Sequence, residues 1–191
     1  MARSKEFEIN DVLDKAIHLF WEQGYEKTSM QNLVEHMGIH KRSMYDTFGD
    51  KHSLYLKALE RCVNTTEEKL LKKVEEAPTI KGAIRKLLES SLEYEDMERK
   101  GCLVVNCATE LALRDDLASN QVKRNFESTQ AILVDLIQNG QASGELSTHP
   151  DAKTLAMVIF NLWIGIRVQA RVVTDYAELY AMIDGALELL E

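Results

Sequence analysis

Apolar residues recur along this chain at intervals of three and four, the spacing that lines one face of an α-helix. Ile9, Val12, Leu13, Ala16, Ile17 and Phe20 follow it first, with a start at Glu8 or Asn10 and Gly24 just past the end. A second, shorter run is Met30, Leu33, Val34 and Met37, and Thr28 with Gln31 three residues on has the spacing of a capping box. Gly38 and Ile39 interrupt the pattern, and a very short helix at about 41–47 carries Met44, Tyr45 and Phe48 inward before Gly49 and Asp50. From 50 to about 77, Leu54, Ala58, Leu59, Cys62, Val63, Leu70 and Val74 describe one long helix. Pro78 and Thr79 restart the chain, and further helices are predicted over 79–99, 102 to about 113, 117–139, 151–173 and 176–190. Nine helices and no strand of useful length define an all-α chain.

Composition narrows this further. Nine Gly and two Pro in 191 residues leave stretches between breakers too long for a meander of short strands, which excludes an all-β fold. No fixed-period repeat is present, so a solenoid is disfavoured. The length suits one ordinary domain or two small ones sharing an interface. Cys62, Cys102 and Cys107 are odd in number and lack Cys-x-x-Cys spacing, which fits reduced thiols in the cytoplasm. The N-terminus has no apolar stretch like a secretory signal, and the apolar run from Leu155 to Ile166 is too short and too polar for a membrane span.

No enzymatic or cofactor constellation emerges. His36 and His40 are four apart, but Gly38 lies between them in a turn, so they do not share a helix face as metal ligands would. Ser, His and Asp occur without a motif that groups them, and paired acids such as Glu75-Glu76 and Asp115-Asp116 read as solvated helix ends. The expectation is a protein that is not an enzyme, with no cofactor and no metal.

The informative stretch is 24–51. Two helices joined by a tight Gly-containing turn, the second short and outwardly polar, are the helix-turn-helix layout. Leu33, Val34, Met37, Ile39, Met44 and Phe48 pack against the first helix, which leaves Lys41, Arg42, Ser43 and Asp46 on the face that can enter a major groove. The net charge of −8, from 23 Lys plus Arg against 31 Asp plus Glu, at first argues against a nucleic-acid partner. From Lys27 to Lys57, however, five cations stand against three anions, so the local balance is +2. A locally positive face is what DNA binding requires, whatever the total.

The residues Gly24-Tyr25-x-x-Thr28-Ser29-Met30, then Met37 to Phe48, then Lys51-His52-x-Leu54-Tyr55 resemble the TetR family of bacterial transcriptional regulators over 8–56. That resemblance implies a helix-turn-helix domain of three helices over 1–50, followed over 51–191 by a ligand-binding and dimerisation domain. It also implies that Thr28, Tyr45 and Lys51 touch phosphates of double-stranded operator DNA, with Lys41, Arg42 and Ser43 facing base edges or backbone. Three positions depart from the family pattern. Arg42 stands where a small residue is common, Thr47 where an aromatic is common, and His40 where a Ser often caps the recognition helix. Arg42 and Thr47 bear on operator sequence, and His40 on the cap.

The helix over 151–173 is apolar nearly all round and must be buried on more than one side. The helix over 176–190 adds a stripe of Tyr176, Leu179, Tyr180, Ile183, Leu187 and Leu190. In the resembled family these two helices pair with their copies, which implies a homodimer and doubles the half-sites a short recognition helix can read. Met97, Cys102, Asn106, Phe126, Phe160, Trp163 and Arg167 are the candidate lining of a pocket for a small-molecule effector, although plain core is the competing reading. Gly101-Cys102-Leu103, with Leu162-Trp163-x-Gly165 and Gln169-Ala170-Arg171, resembles a subgroup in which the cysteine can act as a redox or electrophile sensor, and Arg171 departs from it at a position where a lysine would be the more reactive partner. The alternative for Cys102 is a small buried residue at a helix start. The function expected is a ligand-responsive regulator, a repressor released from a pseudo-palindromic operator, against the alternatives of a helical scavenging protein or a helical adaptor.

Overall fold

The computed structural model describes residues 7–93 and 102–190, and among them the chain forms nine α-helices and no strand. These are α1 (Ile9–Gln23), α2 (Met30–Met37), α3 (Lys41–Phe48), α4 (Lys51–Glu75), α5 (Ile80–Glu89), α6 (Leu103–Glu110), α7 (Asp116–Ser143), α8 (Ala152–Gln169) and α9 (Ala177–Glu188). No described helix is long and apolar enough to cross a membrane.

Helix starts follow local chemistry. Asp50, Asp115 and Asp151 each accept backbone N–H bonds from the first turns of α4, α7 and α8, and Thr79 caps α5 in the same way. The cap of α2 is Ser29 with Asn32, one residue beyond the Thr28 and Gln31 pair that the spacing predicts. Thr28 is buried, and its hydroxyl donates to the Gly24 carbonyl at 2.6 Å, so the adjacent Ser29 takes the cap. Gly38 closes α2 at φ 68°, a left-handed geometry that favours glycine.

The helix expected over 79–99 ends early, at Glu89. The Ser90 hydroxyl donates to the Leu87 carbonyl at 2.6 Å, and the Ser90-Ser91 pair turns the chain away, as small hydroxyl residues that compete with the helix ladder do. Met97 lies outside the described residues.

Two apolar cores result, and they do not divide at residue 50. One joins α1, α2 and α3 to the first half of α4, to α6 and to the start of α7, around Phe20, Leu33, Met44, Phe48, Leu54 and Tyr55. The other packs Leu70 of α4 with α5, the middle of α7, α8 and α9. Each fully buried Leu, Met or Phe contributes about 1.5–3 kcal/mol. α4 belongs to both cores, and at 1.5 Å per residue it reaches about 37 Å between them. Arg61 pins α4 to α1 by donating through Nε and Nη2 to the two carboxylate oxygens of Asp14, both at 2.7 Å.

The capping carboxylates define an acid limit. Bonds from the Ser53 backbone and hydroxyl lower the Asp50 pKa, and bonds from Thr154 do the same for Asp151. Desolvation works against the shift at Asp115, but N–H donors and His52 bring the net below its ordinary value. A carboxyl with a depressed folded pKa contributes stability above its unfolded pKa of about 3.9 and loses it as pH falls through the folded value. Thermal melts followed by circular dichroism are expected to show constant Tm from pH 7 to 5 and a steep fall below about pH 4.

Candidate DNA interface and effector cavity

α2 and α3 meet at the Gly38-Ile39 turn, with Leu33, Met37, Met44 and Phe48 buried beneath them. Six residues of α3 look outward or half outward: Lys41, Arg42, Tyr45 and Asp46 are exposed, and Ser43 and Thr47 are half-buried. Tyr45 departs from the inward direction expected of it and stands 45% exposed beside buried Met44. Arg42 Nε lies 3.7 Å from Asp46 on the same exposed face, a solvated pair that is easily exchanged for another partner. His40 precedes α3 without making a side-chain cap.

Lys51 is more enclosed than its expected phosphate role suggests. Its ammonium donates to the carbonyls of Tyr25 at 2.9 Å and Thr28 at 3.0 Å, and sits 4.2 Å from the centre of the Tyr25 ring. Thr28 and Lys51 thus frame the α1–α2 turn from inside, while Ser29 stands exposed at the start of α2.

α6 touches this frame from the other side. At its C-terminal end the Glu110 carboxylate accepts from the backbone N–H of Tyr25 at 3.0 Å and of Glu26 at 2.8 Å. Gly24 makes the approach possible: its φ is +77°, and a Cβ there would lie 3.1 Å from a Glu110 carboxylate oxygen. Beyond α6, Asp115 caps α7 and lies 2.5 Å from His52 Nε2.

The N-terminal end of α6 forms part of a cavity of about 140 Å³, enclosed by α1, α4, the end of α5, α7 and α8. Of the expected pocket residues, Cys102, Trp163 and Arg167 line it. Phe126 and Phe160 instead pack edge to face, their ring centres 5.2 Å apart, and Asn106 holds Arg171 through a 2.7 Å bond to its side-chain oxygen. The arginine beside Cys102 is therefore Arg167, not Arg171. Its Nη1 donates to Cys102 Sγ at 2.8 Å, and its guanidinium lies 3.7 Å from the centre of a Trp163 ring. Burial pushes the Cys62 thiol up to about 12 and raises that of Cys107 as well. Trp21, Ser91 and Cys62 also line the cavity, and nothing in their local sequence marks them. Among the described residues no group of His, Cys, Asp and Glu is placed to hold a metal ion.

A buried hairpin presenting a short cationic helix, joined to a larger helical body that encloses a cavity, defines a helix-turn-helix DNA-binding regulator. The sequence matches the model described as "Bacterial regulatory proteins, tetR family" over residues 12–58, and that of "Tetracyclin repressor-like, C-terminal domain" over 81–185. It is 32% identical to the HTH-type transcriptional regulator YezE of Bacillus subtilis (strain 168), with all of both chains covered. It is 28% identical to the HTH-type transcriptional repressor ComR of Escherichia coli (strain K12), over 88% of this chain and 82% of that one. A cysteine mutant of the TetR family regulator CifR, solved with 26-base-pair operator DNA, superposes with a TM-score of 0.87 at 24% identity, all of both chains being covered. The chain belongs to the TetR family of transcriptional regulators, a class of DNA-binding proteins and not of enzymes.

Proposed function

We propose that this protein is a cytoplasmic, homodimeric repressor that binds a pseudo-palindromic operator duplex and releases it when a small molecule enters the cavity beside Arg167. The observation that carries the reading is the placement of α6. Over eight residues, about 12 Å, it runs from the cavity wall at Cys102 to the Glu110 carboxylate on the helix-turn-helix frame. A ligand that shifts the start of α6 must move its other end, and with it the spacing of two recognition helices that fit the duplex about 34–36 Å apart. By linkage, operator DNA weakens effector binding by the same factor. Ser29, Lys41, Arg42, Ser43 and Tyr45 form the DNA face, with Thr28 and Lys51 holding its shape from behind. Residues 1–50 act as the reading head and 51–191 as the sensing and dimerising body.

An electrophilic effector is a second reading, favoured by Cys102. Cys62 lines the cavity as well, but of the three thiols Cys102 is the one that accepts a bond from a guanidinium, that of Arg167.

Dimerisation is supported by apolar side chains that point outward along α8 and α9. Met157, Val158, Val168, Tyr180, Met182 and Leu189 are all exposed, and Gly165 and Gly185 have open space where a side chain would stand. Such a patch on a folded chain marks an interaction surface. Val158→Arg is expected to yield monomers by sedimentation while retaining helical content, and to weaken operator binding on the order of 100-fold through lost bivalency. The reading as a whole is tested by sequencing the genomic fragments that the purified protein enriches. Recovery of a few inverted repeats upholds it, and recovery of unrelated sequence in proportion to genome content contradicts it.

A further inference from the structure

The cavity has a surplus of hydrogen-bond donors. Among the described residues three buried polar atoms on its wall have no hydrogen-bond partner: Trp21 Nε1, Ser91 Oγ and Arg167 Nε. Ser91 is 2% exposed and Arg167 9%. Among the described residues no carboxylate pairs with Arg167. Two acids do line the cavity, but Glu67 accepts from Ser128 at 2.6 Å, and Glu93 is exposed and paired with Lys73. The guanidinium therefore has a thiol on one nitrogen, an indole face against it and an empty Nε. A buried charge held in this way is costly until an anion completes it, and an unfilled donor likewise.

Most of the exposed surface of the remaining wall is apolar, with Leu70 and Ile132 among its aliphatic residues, and Thr66, Ser90, Asn125 and Thr129 add polar groups. A cavity of about 150 Å³ is known to admit benzene, so 140 Å³ suits a ligand with a body of about six carbons.

We propose that the cavity recognises a small monocarboxylate, aromatic or branched aliphatic. Its carboxylate accepts from Arg167 Nε and Ser91 Oγ, with Trp21 Nε1 as a further donor, and its hydrocarbon body lies towards Leu70 and Ile132. This rests on reading the cavity as the effector site, and it adds the chemical class of the effector.

Both tryptophans of the chain, Trp21 and Trp163, line the cavity, so their fluorescence reports occupancy directly. Benzoate and 3-methylbutanoate are titrated against the full-length protein, with benzamide as the neutral match and sulfate as an anion of another shape. A saturable change is expected with at least one acid, benzamide binding at least about tenfold more weakly. Ser91→Ala is expected to weaken the acid severalfold, and Arg167→Gln to abolish the preference of acid over amide. Arg167→Lys, which keeps the charge, retains part of that preference and guards against misfolding of the glutamine variant.

Equal binding of acid and amide, no saturable response to either acid at millimolar concentration, or full binding in both Ser91→Ala and Arg167→Gln overturns the proposal. Operator release is measured separately. Acid binding through Arg167 without release leaves the carboxylate site standing and defeats the effector reading. Release by a neutral compound that ignores Arg167, with neither acid binding, defeats the carboxylate site and leaves the effector reading standing.

Discussion

Arg42→Ala is expected to weaken binding to the operator by about 30-fold or more and to relax the base preference at one position in each half-site. The side chain projects from α3 at 93% exposure, and among the described residues its one polar contact is the loose 3.7 Å approach to Asp46. Nothing internal holds it, so the free protein loses almost no stability on truncation and Tm stays unchanged. A bidentate arginine–guanine contact contributes about 1–3 kcal/mol of discrimination. A twofold complex has two of them, which gives about 2–6 kcal/mol, and each 1.4 kcal/mol is tenfold. Titration of wild type and variant against the operator and against single-base substitutions of it measures both effects. A uniform loss across all sequences would instead make Arg42 a phosphate contact.

The second large effect is expected at Glu110. Its carboxylate receives two backbone N–H groups of the α1–α2 turn, and Glu110→Ala leaves both without that partner. The turn is partly solvated, so the stability cost falls near the low end of the 1–3 kcal/mol range for a lost charged acceptor. The larger consequence concerns coupling. Allosteric factors of this kind are commonly 5- to 150-fold, and cutting the link is expected to bring the factor towards one while the cavity continues to bind. A small molecule that releases wild-type operator should thus still quench the tryptophans of the variant without displacing its DNA. Faster amide exchange at Tyr25 and Glu26 is the accompanying local signature. Full release in the variant would move the coupling to the His52–Asp115 contact.

The helix-turn-helix was legible because its determinants are local. Gly38 between Met37 and Ile39, then Met44 and Phe48 at a spacing of four, specify a turn and a buried face within a dozen residues, and the structure buries Met37, Met44 and Phe48 as expected. Adjacent alternatives were not separable in the same way. Thr28 and Ser29 can each cap a helix, and the Gly24 carbonyl, four residues upstream of Thr28, decides between them. Arg167 and Arg171 lie one helical turn apart, so periodicity assigns them the same side. Their difference is that α8 ends at Gln169, so Arg167 on the helix meets the Cys102 sulfur at the start of α6 and Arg171 in the turn beyond it meets the Asn106 amide oxygen.

Cavity residues are harder still. Trp21, Cys62 and Ser91 come from three helices or their ends, and they converge because α1, α4 and α5 pack around α6 and α8. Phe126 and Phe160 satisfied the apolar pattern of a pocket equally well, yet they fill space against each other. Net charge misleads for a related reason. The −8 total averages over a chain in which residues 61–191 carry −6 and 1–60 only −2, while Lys41 and Arg42 stand exposed on α3, the helix proposed to enter the major groove.

Specific recognition of a duplex by α3 in a twofold dimer is the central proposal. The most direct test is an affinity titration of the wild-type protein against its enriched operator and against a scrambled duplex of equal length, repeated over a series of salt concentrations. The expected result is a linear fall of the logarithm of both affinities with the logarithm of salt concentration, a stoichiometry of two chains per inverted repeat or a multiple of it, and an operator preference of about 1,000-fold or more. Equal affinity for operator and scrambled duplex at every salt concentration would contradict it.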